Sequence, residues 1–319
     1  MGLKWKRCGK IRNVLIERPD IVNWRARYLR EIQNCRHEGK VIVYLDETWV
    51  DNNLTFGKCW SGPGVPGVLT NTSSSNRLIV VSAGTKDGFL HDCNLIFKAG
   101  RATGDYHGQM NGVNFERWVH EKLLPHLPKN SVVVLDNAPY HCPQDNKPPS
   151  KYAVKNDMVE WLIKNNIACS TTMKKFELYD LIVQHKPPQK IFRVDSLLKA
   201  HGHLVILLPP YMCELNPIEL AWATMKREIK NHNIKGDLCL TKLEEVTTHA
   251  MNSVTKIDYE GFTNHTLKLE QDYWIKDGLI EDVIDHFVIE LGGVDSSESD
   301  NPDDDDQSSS ESDLACPLD

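Results

Sequence analysis

Three short apolar runs, rich in β-branched residues, most strongly constrain how this 319-residue chain can fold. They lie at 40–45, 131–135 and 204–208, and their length and composition are typical of buried strands. Two further strands are predicted at 57–60 and 77–84, and a weaker candidate lies at 89–97. Helical periodicity follows at 111–127 and from 216 to about 232. Buried strands alternating with helices indicate an α/β fold with a mixed sheet flanked by helices.

Charge divides the chain into three parts. Residues 1–40 contain 11 Lys and Arg against 4 Asp and Glu, whereas 294–319 contain 10 acids and no Lys or Arg. We predict a basic, partly helical arm over 1–38, a body over 39–255, a C-terminal helical extension over 256–293 and a disordered acidic tail over 294–319. The arginines of the arm are interpreted either as the solvated face of an amphipathic helix or as a surface that tracks phosphates.

Several classes of protein are excluded at this stage. No run approaches the roughly 18–20 apolar residues of a membrane span, so we expect no membrane partner. The nine cysteines lie far apart without a Cys-x-x-Cys pair, which argues against a disulfide scaffold and against a zinc ribbon. No motif indicates a small-molecule cofactor, and we expect none.

Acidic residues follow two of the three apolar runs. Asp46 and Asp136 come directly after the first and second runs, and Glu219 lies in the first turn of the helix after the third. If the strands are neighbours, these carboxylates converge and need a cation between them. Oxygen ligands select hard cations such as Mg²⁺ or Mn²⁺, and two such ions can clamp the oxygens of a phosphodiester displacement. We predict that Asp46, Asp136 and Glu219 are catalytic metal ligands.

Each of these acids also has a structural interpretation. Asp46 could be an acid of a turn, Asp136 could form an Asx-turn, and Glu219 could complete a capping box with Asn216. Two further groups of residues leave alternatives open. Glu47 and Glu214 could substitute in the acid cluster, and His141 could bind metal or cap a turn. Three tryptophans are interpreted as core residues rather than base-stacking platforms: Trp49, Trp60 and Trp222.

The strings around the acids resemble the DDE catalytic domain of mariner-type transposases of the Tc/mariner superfamily. These strings are 41–49 with Asp-Glu-Thr-Trp, 134–141 with Asp-Asn-Ala-Pro-Tyr-His, and 208–219 ending in Asn-Pro-Ile-Glu. The resemblance spans about 41–233. It implies a ribonuclease-H-like fold, two Mg²⁺ or Mn²⁺ ions on Asp46, Asp136 and Glu219, and cleavage and strand transfer of DNA. It also implies a homodimer and a nuclear location.

Two departures from the family pattern lead to further expectations. The 82 residues between Asp136 and Glu219 exceed the gap in many members, and we assign the excess to a helical insertion at about 143–200, before the last core strand. About 40 residues precede the first strand, so we expect the family's helix-turn-helix domains to be missing from this chain. The alternative to an active enzyme is therefore a truncated or host-reused protein that binds DNA or partners without catalysis.

Overall fold

Six strands form one mixed sheet at the centre of the protein. The computed structural model describes residues 14–58, 77–100, 102–103, 106–107, 110–187 and 190–291. The strand order is β3-β2-β1-β7-β8, with β4 paired to β2, and β5 and β6 form a separate two-stranded sheet. The strands are β1 (Ile42–Asp51), β2 (Arg77–Thr85), β3 (Gly88–Phe89), β4 (Leu95–Lys98), β5 (Ala102–Thr103), β6 (Tyr106–His107), β7 (Val132–Leu135) and β8 (Leu204–Leu207).

The central strand, β1, is paired on both sides. It runs antiparallel to β2, from Tyr44 opposite Gly84 to Asp51 opposite Arg77. On its other side it is parallel to β7, with Ile42 opposite Val132, and β7 is in turn parallel to β8. The prediction that the strand ends before Asp46 is wrong, because the pairing with β2 continues for six more residues, from Asp46 to Asp51. The segment 48–50, Thr-Trp-Val, has the composition that favours such an extension.

Helices cover both faces of the sheet. They are α1 (Pro19–His37), α2 (Gly112–Trp118), α3 (Lys155–Lys164), α4 (Lys175–His185), α5 (Arg193–Ala200), α6 (Ile218–His232), α7 (Leu240–Asn252) and α8 (Lys256–Leu291). On one face, Phe115 of α2 and Leu198 of α5 belong to the cluster of Val43 and Val133. On the other face, Tyr44 packs with α1, and Val50 packs with α6 and α7. Burial on both faces explains why the core strands are almost continuously apolar.

The helix α1 is held by buried ion pairs to α8. Arg25 is 0% exposed, and its guanidinium donates to both carboxylate oxygens of Asp277, at 2.6 and 2.8 Å. Arg36 makes a similar bidentate pair with Glu270 and donates to the hydroxyl of Tyr44 at 2.9 Å. Arg25 and Arg36 are therefore neither solvated nor free to track phosphates, because α8 supplies their counter-charges. Arg27 and Arg30, in contrast, are exposed, as the amphipathic interpretation of the helix expects.

The segment between β7 and β8 contains three helices, α3 to α5. The α3–α4 pair has its own hydrophobic cluster, built around Met158, Trp161 and Ile182, which contains no residue of the sheet. A short stem joins this pair to the body: Asp145 N–H donates to the Ile191 carbonyl at 3.1 Å. The α3–α4 pair is thus a helical unit that packs mainly on itself.

Other predictions have mixed outcomes. The strand expected at 89–97 is split into β3 and β4 around Asp92, whose φ is 58°. The helix expected at 111–127 ends as α-helix at Trp118 and continues as a π-helical and a 3₁₀ turn to His126. The strand expected at 57–60 does not form at residues 57–58, and residues 59–60 lie outside the described residues. Most of the first half of the arm and the tail 294–319 also lie outside them, and the proposed domain boundaries stay predictions. None of the described helices is long and apolar enough to span a membrane.

The Arg25–Asp277 pair offers a test of how α8 is held. We expect Asp277→Ala to lower the free energy of unfolding by about 3 kcal/mol, because Arg25 would stay buried without its main counter-charge. Urea denaturation followed by circular dichroism measures the change. The neighbouring exposed pair, Lys276 with Glu17 at 2.6 Å, supplies the control: Lys276→Ala should cost less than about 1 kcal/mol. Equal losses in the two variants would contradict this role for Arg25.

Candidate active site

The register of β1 and β7 brings Asp46 and Asp136 side by side. Val43 pairs with Val133 and Tyr44 pairs with Val134. Asp46 lies two residues after Tyr44, and Asp136 lies two residues after Val134. Asp46 lies inside β1, so the interpretation as a turn acid is wrong. Asp136 directly follows β7 and accepts the Ala138 N–H at 3.1 Å, so it does form the Asx-turn that was the alternative. That turn leaves the acid at the carboxyl edge of the parallel strands, where ligands of open α/β sheets bind.

Asn216 holds the start of α6 against the same edge. Its side-chain amide donates to the Leu45 carbonyl at 3.2 Å, and its side-chain oxygen accepts the Ile218 N–H at 3.3 Å. The helix begins at Ile218 after Pro217, one residue later than predicted. The Asn216 backbone N–H donates to the Cys213 carbonyl at 2.9 Å instead of serving a capping box with Glu219. Glu219 therefore stands in the first turn of a helix tethered one residue from Asp46.

Crowded negative charge dominates the surroundings of Asp46. Burial raises the pKa of Asp46 well above its ordinary value, and the charges of Glu47, Glu219 and Asp136 raise it further. The indole N–H of Trp222, which donates to Asp46 Oδ2 at 2.9 Å, acts in the opposite direction on this pKa. Glu219 and Asp136 are thus both close enough to Asp46 to disfavour its ionised form, which is the situation that a bound cation relieves.

His141 is a fully buried partner of two acids. Its Nε2 lies 2.9 Å from Glu47 Oε1, and its Nδ1 lies 2.5 Å from Asp136 Oδ1, although that N–H is not aligned for a hydrogen bond. Burial lowers the pKa of His141, but Glu47 and Asp136 override it and raise the pKa to about 10. Burial likewise works to raise the pKa of Asp136, but His141 and the Ala138 N–H lower it. The imidazolium therefore keeps Asp136 ionised.

The two spare acids have other partners. Glu47 binds His141 and also accepts the Tyr140 hydroxyl at 3.3 Å, so it serves the imidazolium. Glu214 accepts the hydroxyl of Tyr273 in α8 at 3.1 Å. The pairing of Glu47 with His141 was not predicted from the sequence. The two residues are 94 positions apart, and nothing in the motif around either residue indicates contact with the other. The one feature of the sequence that could have indicated this contact is that Glu47 and His141 both lie in the motifs that contain the predicted acids.

The three acids at this edge have the type of ligand atom that hard cations prefer. Asp46, Asp136 and Glu219 supply only carboxylate oxygens, and Asp46 Oδ1 and Asp136 Oδ2 have no hydrogen-bond partner among the described residues. However, within the part of the chain that the structure describes, no three His, Cys, Asp or Glu side chains are arranged to hold a metal ion. The residue types fit Mg²⁺ or Mn²⁺, while the side chains do not converge on one point.

The rim of this edge contains an exposed tryptophan. Trp49 is 57% exposed, so its interpretation as a core residue is wrong, whereas Trp222 is buried as predicted. Arg77 and Lys226 lie over the Trp49 ring, 5.3 and 5.6 Å from its centroid. Burial lowers the pKa of Lys226, while Glu219 and Asp46 act to raise it. A cation and an aromatic ring therefore adjoin the acids. Trp60 lies outside the described residues.

Comparison with known proteins identifies the family of the chain. A family model described as DDE superfamily endonuclease matches residues 41–238, more than half of the chain. The chain belongs to the DDE superfamily endonucleases. The match includes all three predicted acids and the insertion.

Solved structures with a similar fold include chains of the Mos1 mariner transposase. They are the paired end complex with Mn (14% identity, covering 87% of this chain and 68% of that one), the pre-cleavage transpososome (13%, 86% and 66%) and the strand transfer complex (14%, 87% and 67%), each with a TM-score of 0.50. At these identities the likeness concerns the fold. The predicted ribonuclease-H-like mixed sheet flanked by helices is thereby confirmed, as is the predicted DDE domain.

The buried imidazolium of this DDE endonuclease can be tested through stability. His141→Phe keeps a ring against Phe115, whose ring centroid is 4.2 Å from that of His141, but removes the charge between Glu47 and Asp136. We expect the free energy of unfolding to fall by about 3 kcal/mol, because two partly buried acids lose their shared cation. Urea denaturation in the presence of EDTA measures it. His185→Phe, on the exposed side of α4, should change stability by less than about 0.5 kcal/mol; a similar loss there would contradict the assignment.

Proposed function

We propose that this chain is the metal-dependent DNA endonuclease and strand transferase domain of a transposase. The observation that carries the proposal is the electrostatic coupling of Asp46 to Asp136 and Glu219 within a DDE superfamily endonuclease domain. A buried carboxylate whose pKa is raised by neighbouring acids at the carboxyl edge of a sheet favours a role that recruits cations. The proposed reaction is cleavage of a DNA phosphodiester, followed by attack of the freed 3′-hydroxyl on target DNA.

In the proposed mechanism, the three acids bind the metal ions. Asp46, Asp136 and Glu219 would hold two Mg²⁺ or Mn²⁺ ions, which when bound stabilise the charge on the attacking and leaving oxygens. Trp222 fixes one oxygen of Asp46 by its indole N–H, so the other oxygen is directed to the site. The Ala138 N–H donates to Oδ1 of Asp136, and the His141 imidazolium forms an ion pair with the same oxygen. Fixed carboxylates lower the cost of assembling the site.

The proposed substrate is DNA, and the proposed assembly is a homodimer in the nucleus. The Mos1 chains with a similar fold are described as a paired end complex and a strand transfer complex, which supports DNA ends as the substrate class. Lys226, beside Trp49 and near Glu219 and Asp46, adds a cation at the rim of the acids, where a phosphate would approach.

A second candidate is a DNA-binding or interaction protein without catalysis. It is favoured by one observation: within the described residues, the acids do not form a three-residue group arranged for a metal ion. Titration of the full chain with Mn²⁺ in a calorimeter separates the two candidates. If the chain is the enzyme, the wild type should bind Mn²⁺ in the millimolar range or more tightly, and Asp46→Asn should lose this binding. If the wild type releases no more heat than Asp46→Asn, the second candidate is favoured.

Loss of one acid provides the direct test of catalysis. We expect Asp136→Asn to lower the rate of Mg²⁺-dependent nicking of supercoiled plasmid by about 10³-fold or more, because an amide neither neutralises nor ligates a hard cation as a carboxylate does. Thermal unfolding checks that the fold is intact. Asp145→Asn, at the exposed stem nine residues along, is the control and should nick at the wild-type rate. Nicking by Asp136→Asn at that rate would refute the assignment.

Trp222 allows a test of how Asp46 is positioned. Trp222→Phe removes the indole N–H but keeps an aromatic ring beside Phe89. We expect nicking to fall about 10- to 100-fold and the Mn²⁺ concentration for half-maximal nicking to rise, because Asp46 loses the donor that orients it. Trp161→Phe, which removes a comparable N–H bond to the Asn146 carbonyl at 3.3 Å, is the control. If both variants behave alike, the effect is one of stability and not of positioning.

A further inference from the structure

The inserted segment is basic within an otherwise acidic body. Residues 146–190 contain 8 Lys and Arg against 4 Asp and Glu, whereas the rest of 41–293 contains 18 against 26. The α3–α4 pair packs on its own hydrophobic cluster, so its surface charge is not needed to hold it to the sheet. A local excess of positive charge on such a unit attracts partners of opposite charge.

Four lysines of this unit lie at one end of it. Lys155 at the start of α3 and Thr171 in the following loop line the same shallow cavity of about 250 Å³. Lys174 and Lys175 follow Thr171 by three and four residues, and Lys151 precedes Lys155 by four. Each of these separations spans at most about 14 Å of extended chain. We name Lys151, Lys155, Lys174 and Lys175 the lysine end of the insertion.

The lysine end is not neutralised by the protein. Among the described residues, none of the four ammonium groups forms an ion pair with a carboxylate, in contrast to Lys242 with Glu245 and Lys256 with Asp87. Three of the four side chains are exposed, and that of Lys155 is half-buried. Two acids adjoin the lysine end without pairing with its ammonium groups: Glu160 lines the cavity beside Lys155, and Glu177 accepts the backbone N–H of Lys174 at 2.6 Å. Unpaired, exposed ammonium groups in a cluster are the chemistry that contacts phosphates.

Exposed aromatic rings accompany the lysines. Tyr152 follows Lys151 and is 81% exposed, with the Lys151 ammonium 5.0 Å from its ring centroid, and Phe176 follows Lys175 and is 61% exposed. Cationic groups interleaved with aromatic faces are the combination that binds nucleic-acid strands, since phosphates meet the cations and bases or sugars meet the rings.

The insertion is rooted beside the acid cluster. Its stem is closed by the Arg193 N–H donating to the Pro143 carbonyl at 2.9 Å, and Pro143 is seven residues after Asp136. Arg193 also pairs with Glu116 of α2 at 2.7 Å, which ties the stem to the body. DNA extends about 34 Å per helical turn beyond the bond being cut. Because the insertion is attached at the segment that carries Asp136, DNA that continues past the acids is a candidate partner for its positive charge.

We propose that the lysine end of the insertion binds the phosphodiester backbone of DNA that flanks the cleavage site. This rests on the proposed function, because it assumes a DNA substrate at the acids, but it assigns a separate surface with its own residues. The contact is independent of base sequence, since lysines address phosphates. Its role is to hold flanking DNA while the acids act.

The test compares two variants with the same change of net charge. One replaces the lysine end by glutamine (Lys151→Gln, Lys155→Gln, Lys174→Gln and Lys175→Gln). The other replaces four lysines elsewhere on the surface (Lys86→Gln, Lys129→Gln, Lys242→Gln and Lys268→Gln). Binding of a fluorescein-labelled 30-base-pair duplex of mixed sequence to the full chain is measured by anisotropy from 50 to 200 mM salt, without divalent metal. Circular dichroism and thermal unfolding check both folds.

We expect the lysine-end variant to bind at least tenfold more weakly than the wild type at 100 mM salt. The slope of log affinity against log salt should also fall by about 3, because roughly 0.9 counterions are released per phosphate contact. The control variant should stay within threefold of the wild type. Equal weakening in the two variants, or none in the first, would overturn the proposal while leaving the DNA endonuclease intact. Absence of duplex binding by the wild type would instead count against the proposed function.

Discussion

The parallel pairing of β1 with β7 is the interaction on which the rest of the structure depends. It sets Tyr44 against Val134, so Asp46 and Asp136 leave the paired region at the same level. The strand β8 extends the sheet from β7, and Asn216 ties the helix that follows it back to Leu45. A slip of one residue in this register would turn Asp46 to the opposite face of the sheet. The acid cluster is therefore a consequence of backbone pairing between apolar strands.

The two aspartates at this edge are treated differently by their surroundings. The pKa of Asp136 is lowered because the charged His141 overcomes its burial, whereas the pKa of Asp46 is raised by burial and by three neighbouring acids. The protein thus places a buried cation beside Asp136 and leaves Asp46 surrounded by an excess of negative charge. Such an imbalance is costly in the absence of a ligand and is relieved when cations bind, so the charge pattern itself favours a metal-assisted site.

The sequence predicted the features that depend on local pattern. The three apolar runs, the helix after the third run and the family motifs identified the sheet and the acids, because period and composition act over a few residues. Contacts between distant residues were not predictable: Glu47 meets His141 across 94 positions, and Arg25 meets Asp277 across 252. The exposure of Trp49 was also missed, since an aromatic residue in an apolar string is normally buried and only the neighbouring cations explain its position.

The α3–α4 pair has a hydrophobic core separate from that of the sheet. Met158, Trp161 and Ile182 pack among residues of the insertion, so changes on its surface need not disturb the sheet that carries the acids. Conversely, the stem at Pro143 and Arg193 fixes where the unit is attached, next to the turn that holds Asp136. The proposed catalysis and the proposed contact with flanking DNA can then be altered separately, because the energetic coupling between two distant, independently packed groups is small.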